Sequence, residues 1–392
     1  MVSHLHGLML MLVLRDLCTI KNWAYQWKMS FNPDPNKQAT EVIFSHKRNK
    51  GNHPTLYFNA CPVTTSPFQK HLGLFLDEKL NFGHHVNEKI SKANKIIGLI
   101  KRLHYHLPRK SLLDIYKSFV RPHLDYGDVI YDQPNNDALC SRIESVQYNA
   151  ALAITGAIKG SSRERLYHEL GLESLRDRRW YRRLSYFFNI VSLNAPIYLS
   201  SLLPVKQQSY DLARKNLFRN FTLRTDIFNN FFPYCIREWN KLNPDLRNSP
   251  SLSVFKKGLL AFIRPKECSV YNIIDPYGLK LLTRLRCNLS HLREHKFRHN
   301  FLDTINPLCS CSLETESTGH YLLRCPFYAH LRKTLLDNIN NTIGSISSLS
   351  TDKLIHLLLY GNEAYSVDVN AAILKSTIIY LKSSERFDMA LL

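Results

Sequence analysis

The sequence predicts an α+β protein that is mostly α. Two observations carry this. Alternating, β-branched segments are confined to the region before residue 80, and from Val86 onward apolar residues recur at steps of three and four. The chain has 392 residues, 44% of them hydrophobic, so it is long enough for two or three domains and at least one sizeable core. Its 21% charged residues fit a globular protein rather than a disordered or fibrous one.

Taken in order, the apolar run Leu8–Leu14 is shorter than the roughly 20 residues that a membrane span requires. It also lacks the basic lead and small-residue cleavage site of a signal peptide, so it reads as a buried or artefactual start rather than a targeting signal. Ile20, Trp23, Ala24 and Trp27 predict a short amphipathic helix over 17–29, stopped by Pro33 and Pro35. EVIFS (41–45), LYFNACPV (56–63, with Asn59 at a turn) and HLGLFLD (71–77) read as strands. Val86, Ile90, Ala93, Ile97 and Ile100 then define a helix. Leu112, Ile115, Tyr116 and Phe119 define a second, opened after Pro108 and closed before Pro122. Leu139, Ile143, Val146 and Ala150 give a third, and Gly171 ends a fourth after Leu166 and Leu170.

A fifth helix runs from Leu175 to Val191. At about 100° per residue, Trp180, Leu184, Phe187 and Val191 share one sector, with Arg178, Arg179 and Arg182 opposite. From 194 to 266 aromatics interleave with Arg and Lys. Core packing is the favoured role for them over base stacking. Ser251 reads as a cap before the helix holding Val254, Phe255 and Leu259. LLTRLRCNLSHLREHKFRHNF (281–301) is helical and basic. Its histidines, His291, His295 and His299, recur every four residues and read as a positively charged face. They are not read as a protease metal pair, because Leu292 stands where that motif needs glutamate. The tail shows one helix around Ile373, Leu374, Ile378 and Leu381.

Charge narrows the partner class. Lys+Arg total 52 against 32 acidic residues, a formal net charge of +20, which favours nucleic acid over neutral partners. The arginines at 178, 179 and 182, beside Arg163 and Arg165, suit phosphate contact; a merely solvated basic face is the alternative. The nine cysteines form no disulfide scaffold and suit a reducing, intracellular setting, nucleus or cytoplasm.

Cys309, Cys311, His320 and Cys325 stand apart as C-x-C, eight residues, H-x4-C. Three thiolates and an imidazole make a closed tetrahedral set for structural zinc; the alternative is three buried thiols and an ordinary histidine. No two aspartates are adjacent anywhere in the chain, and no P-loop, G-x-S-x-G or H-E-x-x-H occurs. The acidic cluster Asp125, Asp128 and Asp132 in HLDYGDVIYD reads as turn and cap chemistry.

Four stretches together resemble the reverse transcriptase of non-LTR retrotransposons, of the jockey-like type. IKNWAYQWKMSFNPDPNKQATEVIFS resembles the end of the polymerase palm, with Asn32 and Lys37 before a strand. KHLGLFLDEKLNFGHHV resembles the primer-grip hairpin, with Leu72 and Gly73 at its turn and Asp77 after it. RPHLDYGDVIYD through RRWYRRL is similar to the helical thumb, and CSCSLETESTGHYLLRC to the carboxy-terminal cysteine–histidine motif.

The resemblance implies a palm remnant and primer grip over 1–80 and a helical thumb over 81–195. It further implies a connecting aromatic and basic region over 196–265, a basic helix with a zinc knuckle over 266–345, and a helical tail over 346–392. RNA and DNA would be the partners, contacted through Lys37, Lys70, Gly73, Arg163, Arg165, Arg178, Arg179, Arg182, Arg284 and Arg293. In the family the catalytic F/Y-x-D-D turn precedes the region matched here. No catalytic residue is therefore assigned, magnesium is expected only for the full-length polymerase, and the chain alone is expected to be inactive. Other expected partners are the missing palm and fingers half, and no membrane. The competing expectation is a repurposed or decayed fragment acting as a protein-interaction module, with Trp23 and Trp27 left exposed.

Overall fold

The computed structural model describes residues 2–32, 34, 39–45, 55–204, 217–220, 231–263 and 273–387. They separate into two compact units, Met1–Lys89 and Ile90–Leu392. The class is α+β, mostly α, as expected. No helix among the described residues is long and apolar enough to cross a membrane.

The first unit opens with a helix longer than the sequence suggested, Val2–Gln26. Proline, the strongest helix breaker, does not occur in it. The expectation of a buried start is corrected: Met11 is 69% exposed, and Leu12 and Val13 are also exposed. Of the positions described on this helix, Ala24 is the buried one, while Trp23, Tyr25 and the following Trp27 lie open. The helix closes where Lys28 turns left-handed (φ 53°) and the Met29 N–H donates to the Ala24 carbonyl at 2.9 Å, a wide C-terminal wrap. Pro33 and Pro35 lie outside the described residues.

Three two-stranded ribbons follow rather than one sheet. Thr40–Glu41 runs parallel to Thr64–Thr65, and Tyr57–Phe58 pairs antiparallel with Cys61–Pro62. Phe68–His71 pairs antiparallel with Leu74–Asp77. Both hairpins turn on two residues of positive φ, Asn59–Ala60 (51° and 62°) and Leu72–Gly73 (46° and 84°), the geometry that matches strand twist. Asparagine and glycine tolerate this region, but Ala60 and Leu72 are held in it. Leu72 stands 78% exposed at its tip. Asp77 then gathers the chain: its Oδ1 accepts from the N–H of Lys79 and Asn81, and its Oδ2 from Phe82 at 2.6 Å. His85 Nδ1 accepts from the Phe75 N–H at 3.2 Å. Burial lowers the His85 pKa to about 4, which keeps that nitrogen an acceptor.

The helix Gly83–Leu103 buries Val86, Ala93, Ile97 and Ile100, as its period predicts. The next helix departs from expectation. Arg109–Ile115 does not stop before Pro122; it continues through a π-turn, Tyr116–Val120, into Arg121–Asp125. Arg121 N–H reaches back five residues to the Tyr116 carbonyl, and the extra residue accommodates a proline that has no N–H to donate. The inserted residue also rotates the apolar face. Phe119 is 61% exposed, while Tyr116, Val120 and Leu124 are buried.

Asp137–Thr155, Arg163–Leu170 and Leu175–Val191 follow as the periodicity requires. Asn136, Ser162 and Ser174 cap their N-termini, and left-handed Gly156 and Gly171 end the first two. Among the described residues of the basic region, Trp239 and Phe255 are core, fully buried against Phe187 and Phe188, while Tyr198 and Phe262 are exposed. Sequence 281–301 is not one helix. Pro276–Arg286 and Arg293–Arg298 are separated at left-handed Asn288 (φ 52°). The tail over 346–392 holds two helices where the sequence showed one, Thr351–Tyr360 and Val367–Ser383, and a further helix, Ala329–Ile343, precedes it. They share a core with Pro276–Arg286 and with Tyr321.

Candidate metal centre and the arginine sites

Three thiols and an imidazole meet in one place. The Sγ atoms of Cys309, Cys311 and Cys325 and a ring nitrogen of His320 all lie within 4.8 Å of one another, so they could hold a metal ion. A tetrahedral zinc with bonds of about 2.3 Å to sulfur and about 2.0 Å to nitrogen separates its sulfurs by about 3.8 Å and sulfur from nitrogen by about 3.5 Å. Cys309 and Cys325 stand 3.8 Å apart, and Cys311 stands 3.3 Å from His320 Nε2.

Local structure explains the convergence. The first pair sits on a tight hairpin: Leu308 bridges Thr315, the Ser312 N–H donates to the Cys309 carbonyl, and Ser312 is left-handed. The second pair is brought together by a π-turn over His320–Arg324, in which the Cys325 N–H reaches the His320 carbonyl at 2.7 Å. An H-x4-C spacing suits such a five-residue turn.

Cys309, His320 and Cys325 are each under 5% exposed, and burial pushes the Cys309 thiol up to about 12. The Leu313 N–H, directed at Cys311, lowers that thiol instead. A cation bound among these groups would displace the thiol protons and balance the resulting thiolates. Behind the imidazole, Glu314 Oε2 approaches His320 Nδ1 at 3.5 Å and is held by Arg324 at 2.9 Å, an arrangement that orients a ligating histidine.

The arginines lie elsewhere than on an open face. Arg178 pairs with both Asp125 and Glu173 at 2.8 Å, and Arg182 with Asp128 at 2.7 Å. Arg179 and Arg183 converge on Asp132 at 3.1 and 2.9 Å, with side chains 4% and 3% exposed. Arg179 also donates to the Leu124 carbonyl and the Tyr131 hydroxyl. The stripe opposite Trp180 is therefore a lattice of ion pairs, interior at Arg179 and Arg183 and half-buried at Arg178 and Arg182. The acids read as turn and cap chemistry are its other half. Burial raises the Asp128 pKa, against the pull of Arg182. The signal was present: acids at 125, 128 and 132 match arginines at 178, 179, 182 and 183 in helical spacing.

A second lattice, missed from sequence, centres on Glu169, which binds Arg286 at 2.7 Å and Arg109 at 3.4 Å with all three side chains under 5% exposed. Arg109 also donates to Thr283 Oγ1 and Arg286 to the Leu359 carbonyl. Arg165 reaches the Arg286 carbonyl from an exposed position, and half-buried Arg284 donates to the Gly156 carbonyl. Arg163 is exposed, its guanidinium 5.7 Å from the Tyr148 ring centroid. Lys70 is exposed on the Phe68–His71 strand beside Gly73; Lys37 lies outside the described residues. Arg293 is half-buried, its backbone N–H held by Glu316 at 2.7 Å.

The histidine series forms no charged stripe. His291 precedes the Arg293–Arg298 helix, and buried His295 lies between Ser290 and Thr318. Burial lowers both to about 4, so both are neutral at pH 7.

Fold and site together define a mostly helical chain, tied by buried arginine–carboxylate pairs, with one Cys3His cluster among the described residues. No family model matches the chain, and no solved structure matches it. Among curated proteins it is similar to the "Probable RNA-directed DNA polymerase from transposon X-element" of Drosophila melanogaster, at 28% identity over 162 residues. That match takes in 40% of this chain and 17% of the relative's length. It supports a relationship to transposon reverse transcriptases.

Proposed function

We propose that the chain is part of a jockey-like, non-LTR retrotransposon reverse transcriptase that grips template and primer without itself joining nucleotides. The observation that carries this reading is the similarity to a transposon RNA-directed DNA polymerase. In this reading the Leu72–Gly73 hairpin serves as primer grip, and the helices from Gly83 to Val191 serve as thumb. Phosphate contact falls to the exposed cations Lys70, Arg163 and Arg165, because Arg178, Arg179 and Arg182 are engaged with carboxylates. Cys309, Cys311, His320 and Cys325 hold a structural zinc, which cross-links two short segments and leaves no open position for chemistry. Magnesium belongs to the two-metal chemistry of the complete polymerase.

The test is binding of an RNA–DNA hybrid across a salt series. Affinity should fall steeply as salt rises, by roughly 0.9 in the log–log slope per duplex phosphate contact. A flat salt dependence, or robust primer extension by this chain with magnesium, would sink the proposal.

A protein-interaction role is the second reading, and exposed Trp23, Tyr25 and Trp27 favour it. Salt-insensitive, saturable self-association or capture of the polymerase half, abolished by Trp27→Ser, would move the assignment there.

A further inference from the structure

Beside the metal cluster lies a cavity of about 510 Å³ lined by His291, Arg293, Lys296, Asp303, Thr304, Ile305, Asn306 and Arg386. That volume falls in the usual range for small-molecule sites, about 300–1,000 Å³. Its cations differ from those of the two lattices. The Arg293 guanidinium meets a single acceptor, the Leu308 backbone carbonyl at 3.2 Å, and no carboxylate among the described residues. Arg386 turns Nε and one terminal nitrogen to Glu316, each at 2.6 Å, and its other terminal nitrogen has no acceptor among the described residues. Lys296 is held by Asp303, whose carboxylate is 61% exposed and therefore easily exchanged. Ile305, 91% exposed, adds an apolar wall.

We propose that this cavity receives one nucleotide of a single-stranded nucleic acid, its phosphate between Arg293, Lys296 and Arg386 and its sugar or base against Ile305. The proposal rests on the reading of the chain as a nucleic-acid-handling protein and deepens it by naming a site for the unpaired strand. The depressed pKa of His291, lowered by burial and then by Arg284, Lys296 and Arg386, is consistent with a locally positive field. Asp303 is the resident competitor, occupying Lys296 until a phosphate displaces it. The cavity is also tied to the metal loop, since Glu316, which positions Arg386 and the Arg293 backbone, lies between Cys311 and His320.

The experiment measures anisotropy of a labelled single-stranded oligonucleotide with the full chain over a salt series. The double variant Arg293→Gln/Lys296→Gln should bind about tenfold or more weakly, with the log–log salt slope smaller by about 1.4, at about 0.7 per lost phosphate contact. Asp303→Asn, which removes the competitor, should bind severalfold tighter and keeps the test decisive if the double variant fails to fold. Inorganic phosphate should displace the oligonucleotide no better than chloride at matched ionic strength. Wild-type affinity in the double variant, or no gain in Asp303→Asn, overturns the pocket and leaves the broader reading standing. Preferential displacement by inorganic phosphate makes it a free-anion site and overturns it as well. No oligonucleotide binding by the wild type overturns both readings.

Discussion

Along the Leu175–Val191 helix, Arg178, Arg179, Arg182 and Arg183 each meet a carboxylate within 3.1 Å. Around the cavity beside the Cys3His cluster, the Arg293 guanidinium meets no carboxylate among the described residues, and Lys296 is held only by a 61% exposed one. Arginine is prominent in both regions, yet its partners differ. In the first, acids from the preceding helices neutralise it inside the fold, where its role is to set how helices dock. In the second, donors remain open to whatever arrives from solvent. A net charge of +20 does not distinguish the two, because it counts every cation alike.

The largest expected effect comes from the Cys3His cluster and the zinc proposed for it. A strong chelator, or Cys325→Ser, should release one zinc per chain and destabilise the carboxy-terminal core by several kcal/mol, about 3 or more. Equal zinc content in wild type, Cys309→Ser and Cys325→Ser would refute metal binding. Next in size, Asp132→Ala strands two cations in the first region and should lower unfolding free energy by about 3–5 kcal/mol. A urea midpoint within experimental error of wild type would show that solvent reaches Arg179 and Arg183.

Acidification comes third. His295 has its folded pKa depressed to about 4 from an ordinary value of 6.5. Between those values the unfolded chain binds the extra proton, so this contribution is complete above pH 6.5 and is lost as pH falls towards 4. Wild type should lose about 1–3 kcal/mol from this site between pH 7 and pH 4. His295→Asn, compared at the same pH values, should show a shallower decline; parallel curves would show that His295 is not the group responsible. The smallest effect belongs to Arg163→Gln. Stability should stay within about 0.5 kcal/mol, while the salt slope for hybrid binding drops by about 1. An unchanged slope removes Arg163 from the interface.

Much of the helical region was legible because its apolar residues obey one period. Leu139, Ile143, Val146 and Ala150 are buried as their spacing requires, and Leu175–Val191 has the bounds its pattern marks. The cysteine–histidine set was visible too, since four ligand-type residues fall within a short, distinctive span. What periodicity could not show was which charged face meets which. Asp125, Asp128 and Asp132 look like caps until the arginines some 50 positions later are set against them. Pro122 misled for a related reason. Within a continuing helix a proline removes one backbone hydrogen bond, and the π-turn that absorbs this needs no local signature beyond one extra residue. The helix Ala329–Ile343 was missed although Leu331, Leu335, Ile339 and Ile343 step by four.

The clasp between Glu316 and Arg386 has a practical side. Glu316 is 2% exposed and is met by the Arg386 guanidinium, so the segment after the Val367–Ser383 helix is stitched to the middle of the loop between Cys311 and His320. Tension applied to that segment would travel into the loop through one ion pair. A protease cut or stop codon before Arg386 should act like a pulled thread, loosening a loop some 70 positions upstream.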